Sequence, residues 1–128
     1  MKTLIVEDDF MSRKLMLAYL SPLGECDVAT NGSEALKAFT IANDSGKPYD
    51  LITLDIMMPE MSGQDVLKRI RRIEEEEGLA EVRIVMTTAL KDADNVMTAF
   101  KSQCEGYLVK PIELERLRGI LRELNLLE

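Results

Sequence analysis

The sequence predicts an α/β fold, in which five strands and five helices alternate along one domain that comprises residues 1–128. Short apolar runs recur between longer stretches whose apolar residues have helical spacing, and turn-forming residues mark the connections. The chain is long enough to bury roughly two thirds of the surface that its unfolded form exposes. Because parallel neighbours need crossover connections that cover the sheet, the regular alternation favours a parallel sheet with helices on both faces.

The strands are predicted from five short segments, which are residues 3–6, 26–29, 51–54, 83–87 and 107–109. The runs LIV and LITL fit central strands that are buried on both faces. The second segment, CDVA, contains the polar Asp27 and therefore suits an edge of the sheet.

The helices are predicted from apolar faces and from residues that mark their ends. Pro22 and Gly24 end the first helix, and Asn31 begins the second. Ser62 and Asp65 have the spacing of a capping box at the start of the third. The five apolar faces consist of Met11, Leu15, Ala18 and Tyr19; Leu36 and Phe39; Val66, Leu67, Ile70 and Ile73; Ala93, Val96, Met97 and Phe100; and Leu114, Leu117, Leu121 and Leu124.

The composition excludes several classes of function. A net charge of -7 argues against direct nucleic-acid binding, because neutralising phosphates requires clustered Lys and Arg. The chain has no histidine, so it can neither use a histidine general base nor form a phosphohistidine itself. No signal peptide or membrane span is visible, and the cytosol is the expected compartment. The acidic run at residues 74–77 is predicted to be a solvated helix end, partly balanced by Arg71 and Arg72.

Polar residues follow four of the predicted strands. Glu7, Asp8 and Asp9 follow the first strand, Asp55 ends the third, Thr87 and Thr88 end the fourth, and Lys110 ends the fifth. Parallel strands bring their carboxyl ends to one edge, where ligands bind in open α/β sheets. In the flavodoxin-like order 2-1-3-4-5, the chain reverses direction across the sheet between strands one and three, which places the acidic cluster beside Asp55.

The same order separates the two cysteines. Cys26 and Cys104 lie near strands two and five, about 19 Å apart at four inter-strand spacings. An intrachain disulfide would therefore contradict the predicted topology. Both residues suit apolar positions of a reduced protein.

Crowded carboxylates repel one another, and a divalent cation would relieve that repulsion. Magnesium fits better than zinc, because only oxygen donors are present. Asp8, Asp55 and a backbone carbonyl just beyond Asp55 are the expected ligands, and Glu7 is expected to act through a bound water. Singly, these acids could simply begin a helix; together with the other strand ends they indicate a site.

Magnesium in proteins usually shares its coordination shell with phosphate oxygens, so the site anticipates a phosphoryl group. Lys110 supplies a mobile positive charge, and Thr88 supplies a hydroxyl donor. Asp55 is then the nucleophile that forms an aspartyl phosphate. This role explains why a charged residue ends an otherwise apolar strand.

Along nearly its whole length the chain resembles the receiver domain of two-component response regulators, the family that includes the single-domain chemotaxis regulator. The resemblance rests on LIVEDDF, on DIMMPEMSG, on the pair Thr88-Ala89 and on the pair Lys110-Pro111, in that order. It implies that Asp55 accepts phosphate from a phosphohistidine on a partner kinase or phosphotransfer protein. It also implies that Glu7, Asp8, Asp55 and the carbonyl of Met57 serve Mg²⁺.

The resemblance further implies a conformational switch. Thr88 would move towards the phosphate, and Tyr107 would turn inward. These movements would remodel the surface formed by the fourth predicted helix, the fifth strand and the fifth helix. That surface would then bind a downstream protein target or form a phosphorylation-dependent homodimer. The peptide bond between Lys110 and Pro111 is expected to be cis. No turnover of a separate substrate is expected.

Three positions depart from the family pattern. Gln103 stands where a helix-ending glycine is common, so another turn is expected there, and Ile112 replaces a common phenylalanine. Met57 and Leu90 are apolar at positions that flank the phosphoryl group. We therefore expect slow self-catalysed dephosphorylation, since neither side chain can orient an attacking water.

Three other functions compete with that of a phosphorylated receiver domain. A flavin-binding electron carrier needs a Ser, Thr or Gly-rich loop after strand one, where this chain has EDDF. A phosphatase with an aspartyl nucleophile needs a nearby acid, but Asp55 is followed by Ile56 and Met57. A receiver-like module that binds partners without phosphorylation is the closest rival.

Overall fold

A computed structural model describes residues 1–89 and 103–128 and has one parallel sheet of five strands in the order β2-β1-β3-β4-β5. The strands are β1 Lys2–Val6, β2 Glu25–Ala29, β3 Leu51–Asp55, β4 Arg83–Ala89 and β5 Gly106–Lys110. The helices are α1 Phe10–Leu20, α2 Gly32–Asp44, α3 Gly63–Glu77 and α4 Leu114–Glu123. The predicted fold class, strand order and edge position of the second strand are confirmed. The predicted fourth helix lies outside the described residues, and α4 is the fifth predicted helix.

The helices cover both faces of the sheet, because side chains along each strand alternate between two cores. Leu4 and Val6 face α2 and α3, where they join Phe39 and Leu67. Ile5 points the opposite way, into a core with residues of α1 and α4. This alternation explains why the central strands carry buried, mostly apolar residues that face both cores.

The predicted helix boundaries are confirmed by their caps. The Asn31 side chain accepts a hydrogen bond from the backbone N–H of Glu34, and Ser62 accepts one from that of Asp65. Asp9 caps α1 in the same way, through the N–H of Ser12 at 2.8 Å. Pro22 and Gly24 fall in and after a short 3₁₀ turn, Ser21–Leu23, that follows α1.

The two cysteines are placed as predicted, on opposite edges of the sheet. Cys26 is half-buried on β2, Cys104 is buried just before β5, and neither is part of a disulfide. Burial raises the pKa of both thiols.

The prediction of a solvated helix end at residues 74–77 was wrong for Glu74, which is only 2% exposed. One Glu74 oxygen forms an ion pair with Arg71 at 2.8 Å, and the other accepts the N–H of Val82 at 2.7 Å. The physical reason is that the first amide groups of the β4 region need acceptors, and the end of α3 supplies one. The remaining three glutamates of the run are exposed.

Arg71 also binds the segment that precedes β5. It reaches both carboxylate oxygens of Glu105 at 3.1 Å and donates from Nε to the carbonyl of Gln103 at 2.8 Å. Glu105 in turn accepts the N–H of Ile84 at 2.6 Å. Gln103 lies in a turn. The expectation of a different turn at the end of the fourth predicted helix stays a prediction, because that helix lies outside the described residues.

In residues 1–89 and 103–128, no helix combines the length and the apolar character that crossing a membrane requires.

Candidate functional site

The carboxyl ends of β1, β3 and β5 bring three charged side chains into contact. Asp55 is the last residue of β3 and only 3% exposed, and Lys110 is the last residue of β5. The Lys110 ammonium lies 3.2 Å from Asp55 Oδ1 and 2.7 Å from Glu7 Oε1. The predicted convergence of these strand ends is therefore confirmed.

Strand register explains this placement. Val6 pairs with Leu54, so the next residues, Glu7 and Asp55, lie at the same level on neighbouring chain segments. Asp55 pairs with Thr87 on its other side, and Ala89 pairs with Lys110 one strand further on. Lys110 is two strands away from Asp55 in the sheet, so its long side chain spans β4 to reach the carboxylate.

Gly63 allows α3 to begin against the end of β3. Its N–H donates to the carbonyl of Ile56 at 2.9 Å, and a side-chain carbon at this position would overlap the backbone carbonyl of Asp55. The glycine of DIMMPEMSG is thus required by close backbone approach. It keeps the chain after Asp55 in a compact turn.

A third carboxylate completes the acidic cluster. Glu7, Asp8 and Asp55 each offer one oxygen, and these oxygens lie within 4.8 Å of one another. Asp8 is exposed, whereas Glu7 and Asp55 are buried. Three carboxylates with no soft ligand among them suit a hard divalent cation such as Mg²⁺, so the donor set fits the predicted metal.

Glu7 has both carboxylate oxygens engaged. Besides its ion pair with Lys110, it accepts the backbone N–H of Asp9 through Oε2 at 3.2 Å. Glu7 therefore orients Lys110 towards Asp55 while bracing the turn that carries Asp8. Its expected contact with metal-bound water stays a prediction.

The acid–base state of the site follows from burial and charge. Burial raises the pKa of the Asp55 carboxyl, the neighbouring Glu7 raises it further, and Lys110 opposes them, which leaves the pKa at about 7. Burial alone would lower the pKa of Lys110, but its contacts with Glu7 and Asp55 outweigh burial and raise it. Lys110 thus stays protonated, and a bound cation would favour the ionised form of Asp55.

The remaining predicted site residues lie around this centre. Thr88 is fully buried, and its hydroxyl donates to the carbonyl of Ala89 at 3.3 Å. Tyr107, on β5, is 42% exposed, and the Met57 side chain is 64% exposed. Leu90 lies outside the described residues. The peptide bond between Lys110 and Pro111 is cis, as expected.

Sequence reasoning missed two residues of α1 that contact the site's loops. Arg13 donates to the carbonyls of Glu7 and Asp8, and the Tyr19 hydroxyl donates to the carbonyl of Ile112 at 3.1 Å. A basic residue one turn after Asp9 could have indicated the first contact. Nothing local in the sequence indicates the second, which joins residues 93 positions apart.

Comparison with known proteins agrees with this geometry. The family model of the response regulator receiver domain matches residues 3–122. A probable transcriptional regulator, ycf27 of Cyanidium caldarium, is 37% identical over 127 residues, which is 95% of this chain and 47% of that protein. The regulatory protein VanRB of Enterococcus faecalis is 32% identical, over 94% of this chain and 52% of that protein. The chain thus spans about half the length of these curated relatives.

Among solved structures, the response regulator TrrA of Thermotoga maritima, in complex with Mg²⁺ and BeF, is 31% identical to this chain. Its TM-score is 0.76, with 96% of this chain and 97% of that chain covered. The family match over 120 of 128 positions, the strand order and the acidic cluster all agree. This chain belongs to the response regulator receiver domain family of two-component signalling.

Proposed function

We propose that Asp55 is the phosphoacceptor of a phosphorelay switch. The observation that carries this proposal is a buried carboxylate held 3.2 Å from a lysine ammonium, with two further carboxylates within 4.8 Å. A structural ion pair would need only one acid. Burying one ammonium among three acids costs free energy, and arrangements of this kind occur at functional sites.

By analogy with the receiver domain family, the phosphodonor is a phosphohistidine on a histidine kinase or phosphotransfer protein. These 128 residues contain no histidine, so the phosphohistidine lies outside them. An Asp55 oxygen attacks the phosphorus atom, forming a P–O bond as the P–N bond of the donor breaks. The imidazole leaves with the P–N bond electrons and takes up a proton. Lys110 balances charge on the phosphoryl oxygens, since its ammonium already lies beside the attacking carboxylate.

Receiver domains generally bind Mg²⁺ at an acidic pocket. Here Glu7, Asp8, Asp55 and the Met57 carbonyl would hold the ion, with Glu7 contributing through water. When bound, Mg²⁺ supplies charge neutralisation for the phosphoryl group. The chain's own residues supply the nucleophile, the ammonium and the orientation of both.

The output of the switch is proposed to be a change of protein partner. Thr88 would donate to the phosphoryl group and Tyr107 would lose its exposure, altering the surface near β5 for a downstream protein or a second phosphorylated copy. The domain catalyses only its own phosphorylation and slow dephosphorylation. It acts without contacting nucleic acid or membrane, in the cytoplasm.

Phosphorylation by a small donor tests the proposal. The protein is incubated with Mg²⁺ and acetyl phosphate, and its intact mass is compared with those of Asp55→Asn and Asp44→Asn. Asp44 is an exposed acid at the end of α2, so this control removes one charge away from the site. One Mg²⁺-dependent phosphoryl group on the wild type and on Asp44→Asn, and none on Asp55→Asn, is expected. An adduct that persists in Asp55→Asn would refute the assignment, and no adduct in any form would favour the phosphorylation-independent module.

A further inference from the structure

Arg13 makes contacts that the proposed phosphotransfer does not use. It lies in the first turn of α1, directly after the acidic loop, which we define as residues 7–9. Its Nη1 donates to the backbone carbonyls of Glu7 at 3.1 Å and Asp8 at 3.4 Å. The guanidinium also lies over the ring of Phe10, 5.7 Å from the ring centre, so two kinds of contact hold this end of the side chain.

The acidic loop needs such support because it lies beyond the sheet. The pairing of β1 with both neighbours ends at Val6, so the carbonyls of Glu7 and Asp8 lie past the last paired residue. The Glu7 side chain is held by Lys110 and by the N–H of Asp9. Asp8 is exposed, so its direction depends on the backbone that Arg13 holds.

We infer that Arg13 is a positioning residue for the cation site. By fixing two consecutive carbonyls, it sets the backbone orientation from which the Glu7 and Asp8 carboxylates project towards Asp55. The guanidinium suits this task, because the two N–H groups of its Nη1 have a fixed geometry and can bridge two carbonyls that a flexible ammonium would hold less firmly. This inference rests on the proposed Mg²⁺ site.

Positioning and simple charge predict opposite effects of removing Arg13. If Arg13 acted only as a positive charge beside an acidic cluster, neutralising it would strengthen cation binding, since one repulsive charge would be gone. If Arg13 positions the loop, neutralising it will weaken cation binding despite that gain. The direction of the change therefore separates the two roles.

The test measures the Mg²⁺ dissociation constant by calorimetry for the wild type, Arg13→Met, Arg13→Lys and Lys14→Met. Lys14 is exposed on the next position of the same helix and is the matched charge control. We expect Arg13→Met to weaken binding on the order of tenfold, as seen when outer partners of metal ligands are removed. Arg13→Lys should weaken binding less, and Lys14→Met should leave it unchanged or slightly tighter.

Unchanged or tighter binding in Arg13→Met would overturn the inference, as would equal weakening in Lys14→Met. Circular dichroism checks that each variant is folded. If Arg13→Met is not folded, the Mg²⁺ dissociation constant of Arg13→Lys is used instead, and unchanged or tighter binding in that variant would overturn the inference. Absence of Mg²⁺ binding in the wild type would instead refute the metal site of the proposed function, and the inference with it. A loss of thermal stability with an unaltered constant would show a structural role alone and would overturn the inference.

Discussion

At Asp55 a buried charge is opposed by desolvation and by Glu7, and only Lys110 supports it. The sequence identified these three residues, because acids and a lysine at strand ends are conspicuous beside apolar runs. It did not identify Arg13, whose contacts are with backbone carbonyls. The sequence shows which side chains are charged. It does not show which backbone carbonyls can accept hydrogen bonds, because that depends on the conformation of the folded loop.

The raised pKa of Asp55 makes the stability of the metal-free protein dependent on pH. An unperturbed Asp has a pKa of 3.8, against about 7 here, so the folded state holds a proton that the unfolded state has lost. The resulting stabilisation is complete below pH 3.8 and is lost as the pH rises through 7. Urea unfolding is measured with a chelator present. The free energy of unfolding of Asp55→Asn, relative to that of the wild type, should increase between pH 4.5 and pH 8.

Asp44→Asn is the control for that pH series, because Asp44 is exposed and far from the site in sequence. Its difference in unfolding free energy from the wild type should hardly change between the two pH values. If the difference in unfolding free energy between Asp55→Asn and the wild type also hardly changed with pH, the raised pKa of Asp55 would be contradicted.

Thr3 on β1 is 1% exposed, and its hydroxyl has no hydrogen-bond partner among the described residues. Valine has nearly the same shape and no hydroxyl to desolvate, so Thr3→Val should raise the free energy of unfolding by about 1 kcal/mol. Thr30→Val makes the same chemical change where the hydroxyl donates to Glu34 at 2.6 Å, and it should destabilise. Urea unfolding of both variants checks the contrast; a destabilised Thr3→Val would contradict it.

The lifetime of the phosphorylated form should depend on Met57. This exposed apolar side chain cannot orient water, so Met57→Asn together with Leu90→Glu should accelerate phosphate loss. The rate is followed by intact mass after the phosphodonor is removed. An unchanged rate in the double variant, with Met11→Asn as a control on α1, would rule out this explanation of slow hydrolysis.

At the scale of elements, strand centres were predictable and some contacts between elements were not. All five strands extend one or two residues beyond their predicted ranges, for example as Glu25–Ala29 and Arg83–Ala89, because residues at the ends of the predicted segments still pair. Glu74 was indistinguishable from the three glutamates that follow it. Only the position of the Val82 amide in the folded chain selects Glu74 for burial.

Arg71 should accordingly matter to stability more than its neighbour Arg72. Arg71→Met leaves the Glu74 carboxylate buried without its cation and should lower the free energy of unfolding by about 3–5 kcal/mol. Adding Glu74→Gln should restore part of this loss, because the amide oxygen can still accept the N–H of Val82. Urea unfolding measures both variants.

Arg72→Met is the matched control on the same helix. Arg72 pairs with Glu76 at 3.1 Å, but both side chains are largely exposed, so the cost should be about 0.5 kcal/mol. Similar losses for the two arginine variants would show that the buried network contributes no more than a surface ion pair.

At the scale of the whole molecule, the candidate site and the ion-pair network of Arg71 lie at opposite ends of the sheet. The acidic cluster lies at the carboxyl ends of the strands, and the Arg71 network lies where β4 begins. The order of strands could be predicted because parallel βα units permit few arrangements. The supporting network could not, since it joins residues that are 34 positions apart.

Binding of Mg²⁺ at one end should stabilise the entire fold. A ligand that binds only the folded state raises the free energy of unfolding by about 1.4 kcal/mol when its free concentration is ten times its dissociation constant. Thermal unfolding with and without Mg²⁺ should show this gain in the wild type and most of it lost in Asp55→Asn. A gain of equal size in Asp55→Asn would place the ion elsewhere.

The position of β1 between β2 and β3 also has a consequence for synthesis. After β1 and β2 pair, each later strand in the chain adds to the same growing edge, first β3, then β4, then β5. A nascent chain can therefore build its sheet in the order in which it leaves the ribosome. Lys110 arrives with the last strand, so Asp55 acquires its ammonium partner only when the sheet is finished. Competence to receive a phosphoryl group is thus coupled to the completion of folding.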